Sequence, residues 1–175
     1  MRGAQTRDVA RATLLTALAV ALSPFSFPVG TTKVFPGQAM VNVLSGVLLG
    51  PWYAIVVAFA ASLIRNLLGT GTVNAFAGSM IGAALAGLAW RATRNIYASA
   101  LGEIIGTGVL ATLATVYIVA PNVQHRNPAL ALVGAGFLAS TIAGSVVAVI
   151  VLKALAAAGY LPGRVAKRVA ASPRE

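Results

Sequence analysis

The chain reads as an all-α membrane protein, a six-transmembrane-helix bundle forming one integral domain over residues 1–175, with both termini cytoplasmic. Three observations predict this. Of 175 residues, 58% are hydrophobic and only 9% charged, with a mean hydropathy of +0.86; a soluble domain carries about 25% charged residues. Apolar runs recur along the whole length, punctuated by Pro, Gly and Arg. The cations also sort by side once the runs are taken as spans.

The first helix is expected over about 9–23, stopped by Pro24 and Pro28, because proline removes a donor and clashes with the preceding turn. No Ala-x-Ala-like cleavage site precedes the next polar stretch, so the run reads as a retained helix and not as a signal peptide. The loop FSFPVGTTKVFPGQ leads to a short second helix over about 38–49, which Gly50-Pro51 breaks before a third over about 52–68. At about twelve residues and 1.5 Å each, the second helix falls short of a ~30 Å hydrocarbon core unless it tilts or draws in part of the loop. The turn Gly69-Thr-Gly-Thr-Val-Asn74 follows, with two glycines placed for positive φ, and a fourth helix is expected over about 74–90. The basic link Arg91-Ala-Thr-Arg94 leads to a fifth helix over about 98–119. Pro121 to Pro128 form a polar loop, a sixth helix covers about 130–158, and a basic tail fills 159–175.

Six spans put both termini on one side. Arg2, Arg7, Arg11, Arg91, Arg94, Lys153, Arg164, Lys167, Arg168 and Arg174 share that side, while Lys33, Arg65 and Arg126 lie on the other. This bias makes the termini cytoplasmic. The net charge of +10 would suggest nucleic acid in a soluble protein; here a nucleic-acid-binding tail is the weaker alternative. Rows of small residues mark faces for close helix approach: Thr13, Ala17 and Ala21; Gly78, Gly82 and Ala86; and Gly136, Ser140, Gly144 and Ala148. Each row either packs inside the bundle or docks a separate membrane protein.

The polar residues gather at the outer end. Lys33, Gln38 and Asn42 fall in the first loop and second helix, Arg65, Asn66, Thr70, Thr72, Asn74 and Ser79 around the next turn, and Tyr117 with Asn122 to Arg126 at the third connection. A pocket open to the outside and sealed below is the simplest inference. Arg65 and Asn66 stand out as adjacent polar residues at the end of an apolar run. Glu103, the only acid within a span, either pairs with Arg91 or Arg94 or has a function of its own. One histidine, no cysteine and one buried acid cannot build a metal centre or a paired-carboxylate site. The Gly-Thr-Gly-Thr turn is not a phosphate loop, since no Gly-Lys-Ser/Thr follows. No enzyme activity, cofactor or metal is expected, and transport would need a separate motor or a passive path.

Pro28-Val-Gly-Thr-Thr-Lys33, Pro36-Gly-Gln38, Asn42, Leu49-Gly-Pro51, Arg65-Asn66, Gly69-Thr-Gly-Thr72, Ala75-Phe76 and Gly78-Ser79-Met80 resemble the S component, the substrate-binding subunit, of energy-coupling factor (ECF) transporters, and among these the ThiW proteins linked to uptake of the thiazole precursor of thiamine. The match spans about the first half of the chain. Gln38-Ala39 stands where Gln-His is expected, and Phe76-Ala77-Gly78-Ser79 where Phe-Pro-Gly-Ser is expected. The resemblance implies a prokaryotic plasma-membrane protein that captures substrate from outside. A transmembrane coupling subunit and two ATPase subunits would drive uptake, with Thr13, Ala17 and Ala21 docking the coupling subunit. By motif position the binding candidates are Lys33, Gln38, Asn42, Arg65, Asn66, Thr70, Thr72, Asn74 and Ser79, with Glu103 and Tyr117 as further candidates. Hydroxyethylthiazole, small, neutral and aromatic, suits an apolar pocket with a few hydrogen bonds. Cationic thiamine would call for acids or an aromatic cage. An anionic ligand held by Lys33 and Arg65 is the competing reading, and a passive channel or non-transporting scaffold is the alternative from another class.

Overall fold

The computed structural model describes residues 2–29, 32–161 and 163–170, with backbone alone for residues 2–4, 28, 29, 32, 163, 164 and 170. Gly30 and Thr31 of the first loop and Arg174 of the tail thus lie outside the described residues, as do the side chains of Arg2 and Arg164. The elements in order are α1 (Arg2–Ala21), β1 (Phe27–Val29), β2 (Thr32–Val34), α2 (Pro36–Leu49), α3 (Pro51–Leu67), α4 (Asn74–Thr93), α5 (Ile96–Gln124), α6 (Leu130–Ala157) and α7 (Gly163–Ala170). Of the described helices, α4, α5 and α6 are long and apolar enough to cross a membrane, while α2 and α3 are shorter apolar helices. Large apolar side chains crowd the outside, among them Trp52, Phe59, Leu101, Ile142 and Ile150. Such a surface is unfavourable in water and suited to lipid.

The short α2 is the centre of the molecule. Every residue from Gln38 to Val47 is buried, and α1, α3, α4, α5 and α6 all pack against it. A mostly apolar helix packed on all sides is a buried helix, and its polar residues Gln38, Asn42 and Ser45 are buried with it. Sheathed in protein, α2 is free of the length that a lipid-facing span must reach. Its brevity, awkward on length alone, follows from this position.

The rows of small residues divide by face. Gly78, Gly82 and Ala86 on α4 are buried, as are Gly136, Ser140, Gly144 and Ala148 on α6. A Cβ on Gly144 would run into the α2 backbone at Pro36 and Met40, so this row serves close packing inside the bundle. Thr13, Ala17 and Ala21 on α1 are exposed.

Four elements depart from the sequence reading. The helix α1 begins at Arg2, its polar first half carrying an Asp8–Arg11 ion pair at 3.6 Å. Part of the first loop is a hairpin, with Phe27 opposite Val34 and Pro28 opposite Lys33. The helix α5 does not stop at Val119 but runs to Gln124 through wider π-helical turns at Gly106–Ala111 and Thr115–Gln124. The second of these contains Pro121, and a π turn accommodates the donor that proline lacks. In the tail, α7 folds back so that Leu161 and Val169 join the apolar core beside Leu152, while Lys167 and Arg168 stay exposed.

Candidate functional site

The turn after α3 holds its own shape. Gly69 takes φ +71°, the left-handed conformation that glycine tolerates best. The backbone N–H groups of Thr70 and Gly71 both donate to the Arg65 carbonyl, at 2.9 and 2.8 Å. Gly71 is not in the left-handed region as the sequence suggested; it is small because a Cβ there would lie 2.9 Å from the Asn66 backbone nitrogen. The Asn66 amide donates to the carbonyls of Ser62 (2.8 Å) and Thr72 (3.1 Å). Thr70 Oγ1 lies 3.2 Å from the Arg65 carbonyl and 3.3 Å from Ser23 Oγ. Asn74 accepts from Gln124 at the end of α5. These side chains lock the turn to its neighbours, and Arg65 is free to point into the bundle.

There Arg65, only 1% exposed, lies under the hairpin with its guanidinium 3.9 Å from the centroid of the Phe35 ring. A chain of hydrogen bonds starts from it. Arg65 Nη1 donates to Gln38 Oε1 at 2.8 Å, and Gln38 Nε2 donates to Asn42 Oδ1 at 3.0 Å. Asn42 Nδ2 then donates to Glu103 Oε1 at 3.1 Å. Thr107 Oγ1 lies 2.9 Å from the same carboxyl oxygen and 2.8 Å from the Gly78 carbonyl, with one proton to give. The spacing follows from the helices. Gln38 and Asn42 are four apart on α2, and Glu103 and Thr107 four apart on α5, so each pair shares a face.

Glu103 does not reach Arg91 or Arg94, which are exposed. It is fully buried, and its carboxyl fits where Gly82 has no side chain: a Cβ on Gly82 would collide with Glu103 Oε2 and with the Thr107 hydroxyl. Gly82, which looked like part of a packing row, is therefore the recess that admits the acid. Of the four buried side-chain atoms without a hydrogen-bond partner among the described residues, three belong to this hydrogen-bonded relay, Arg65 Nε, Arg65 Nη2 and Glu103 Oε2, and the fourth is Thr115 Oγ1. Buried polar groups are nearly always paired, and the three relay atoms are shut off from solvent in a residue pair that borders a cavity.

The cavity itself is small, about 40 Å³, and open on one side. Arg65, Gln38, Asn42 and Glu103 border it with Ser79, Thr107 and Ser140. Phe35, Phe137, Ala39, Ala75 and Gly78 complete the wall, and Lys33 stands exposed at the hairpin. The backbone N–H of Phe35 donates to Ser140 Oγ at 2.9 Å, which ties the hairpin to α6 across the cavity. Ser79 donates to the Ala75 carbonyl and meets Ser62 at 2.8 Å. Two aromatic faces with a few convergent polar groups are the make-up of a small-molecule site. A wider cavity at the opposite end is lined by Trp90, Arg94, Val165, Lys167 and Arg168. Its charged residues are exposed, and none of its lining polar atoms is buried without a partner.

The structure thus brings together Lys33, Gln38, Asn42, Arg65, Ser79 and Glu103 from the sequence candidates. Asn66 at the end of α3, Thr70 and Thr72 in the turn and Asn74 at the start of α4 stand outside the cavity wall, and Tyr117 faces outward, 64% exposed. Sequence reasoning missed Phe35, Thr107, Phe137 and Ser140. Only Thr107 carried a signal, a hydroxyl one helical turn beyond the sole intramembrane acid.

The fold is thus an apolar helical bundle with the make-up of a membrane protein, and its site a small cavity bordered by buried polar side chains. The model of the ThiW family, described as thiamine-precursor transporter protein, matches residues 9–158, and the chain belongs to that family. No curated protein and no solved structure gives a significant match.

Proposed function

We propose that the chain is the substrate-binding S component of an ECF transporter, capturing hydroxyethylthiazole from outside the cell in the cavity beneath the hairpin. In this reading the chain is a single membrane domain with six passes and cytoplasmic termini. Lys33, Gln38, Asn42, Arg65 and Ser79 bind the ligand, and Asn66, Thr70, Thr72 and Asn74 shape the turn that presents Arg65. The exposed row Thr13, Ala17 and Ala21 docks the transmembrane coupling subunit, and two ATPase subunits supply the energy. The observation that carries the reading is Arg65, a buried cation that lines the cavity together with Phe35 and Phe137. A small heteroaromatic ring packs against the Phe35 and Phe137 side chains that line the cavity, and a guanidinium N–H donates to a ring nitrogen or a hydroxyl oxygen.

The test is ligand binding to purified protein in detergent, comparing hydroxyethylthiazole, thiamine, the pyrimidine precursor and thiazole phosphate. Tight binding of the neutral thiazole alone is expected. Binding of the phosphate alone would keep the capture role and shift the weight to Lys33 and Arg65. Binding of none would favour a scaffold.

A further inference from the structure

We propose that Glu103 sets the charge selectivity of the cavity: it balances Arg65 through Gln38 and Asn42, so the site takes a net-neutral ligand and rejects the matching anion. This rests on the reading of the cavity as the thiazole site. Arg65 and Glu103 are both buried, 1% and 0% exposed, and the only other acid among the described residues, Asp8, is engaged with Arg11 on α1. Glu103 is therefore the one counter-charge the described chain offers Arg65.

The two do not touch; a pair of amides stands between them. Arginine can only donate, so both amides must point the same way and Glu103 Oε1 is left to accept. Gln38 turns its oxygen to Arg65 and its nitrogen to Asn42, and Asn42 turns its nitrogen to Glu103. Head-to-tail amide dipoles of this kind reinforce one another in a low-dielectric interior. A buried charge without a partner is strongly destabilising, and the relay links the two ends, while Arg65 Nε and Nη2 and Glu103 Oε2 keep no hydrogen-bond partner. An anion entering the cavity meets a guanidinium already balanced and a carboxylate that repels it. Lys33 is exposed at the mouth, where solvent screens its charge. In Glu103→Gln the side-chain oxygen still accepts from Asn42, but Arg65 is left unbalanced. An anionic ligand would then supply the missing charge.

The experiment compares hydroxyethylthiazole with the thiazole acetate in which a carboxylate replaces the hydroxyl-bearing carbon. Wild type is expected to prefer the alcohol, and Glu103→Gln to shift the ratio of the two Kd values toward the acetate by about tenfold or more, one decade of selectivity. The same ratio in both proteins would overturn the proposal. Melting temperatures of Arg65→Gln, Glu103→Gln and the double variant form the second arm. Charge balance predicts that the double variant loses less than the two single losses added together, and folds even where Glu103→Gln alone does not; additive losses would overturn it. If wild type binds neither thiazole, the proposed function falls and the melting cycle alone decides whether the pair is coupled.

Discussion

Arg65→Ala probes the cavity most directly. The side chain gives Nη1–H to Gln38, stacks on Phe35 and keeps Nε and Nη2 unpaired. A hydrogen bond from a charged donor is worth about 1.5–3 kcal/mol. At about 1.4 kcal/mol per decade, a ligand that accepts one loses roughly 10- to 140-fold in affinity when the guanidinium is removed. The fold suffers too, because Gln38 Oε1 loses its donor and Phe35 its cation, together about 2–4 kcal/mol. Calorimetric titration of hydroxyethylthiazole in detergent, paired with a melting curve, separates the two effects. Arg65→Lys keeps the charge but replaces the planar fork with a single ammonium, and an intermediate affinity is expected. A folded Arg65→Ala that binds as wild type does would remove Arg65 from the site and refute the assignment of the cavity.

Three further variants test the arrangement around it. Gly82→Ala would put a methyl where the Glu103 carboxyl and Thr107 hydroxyl sit, so a lower melting temperature, by about 1–3 kcal/mol of overpacking, and weaker ligand binding are expected; an unchanged melting temperature would show that α4 and α5 spread freely. Asn74→Ala removes the partner of Gln124 outside the cavity, which should cost on the order of 1 kcal/mol of stability and lower ligand affinity far less than Arg65→Ala does. An equal loss of affinity there would move the site into the turn. Ala17→Leu, on the exposed face of α1, should leave binding and melting as in wild type while abolishing uptake in cells that carry the coupling and ATPase subunits. Undiminished uptake would remove α1 as the docking face.

The membrane class and the order of helices were legible because they rest on local chemistry. The shortage of charge, the breaks at Pro24 and Gly50-Pro51 and the glycine turn at Gly69 all act within a few residues of themselves. Gln38, Asn42 and Arg65 stood out for a similar reason, since a polar residue inside an apolar run must find a partner. Whether an amide is spent locally was not legible. Asn66 and Asn42 are the same residue type in similar company, yet one caps the turn that follows it and the other reaches Glu103 across 61 residues of chain. The length of α2 misled because span length assumes lipid on every side, and α2 has protein there instead.

By itself the sequence determined that this is a helical membrane protein with its intramembrane polar groups concentrated toward one end, because partition and backbone propensity are properties of short stretches. Only the tertiary structure decided that Glu103 shares a hydrogen-bonded chain with Arg65, that Gly82 is the recess admitting it, and that Phe35 and Phe137 face one cavity. Those relations depend on how α2, α4, α5 and α6 sit in register against one another, and helix register is set by packing between residues far apart in the chain.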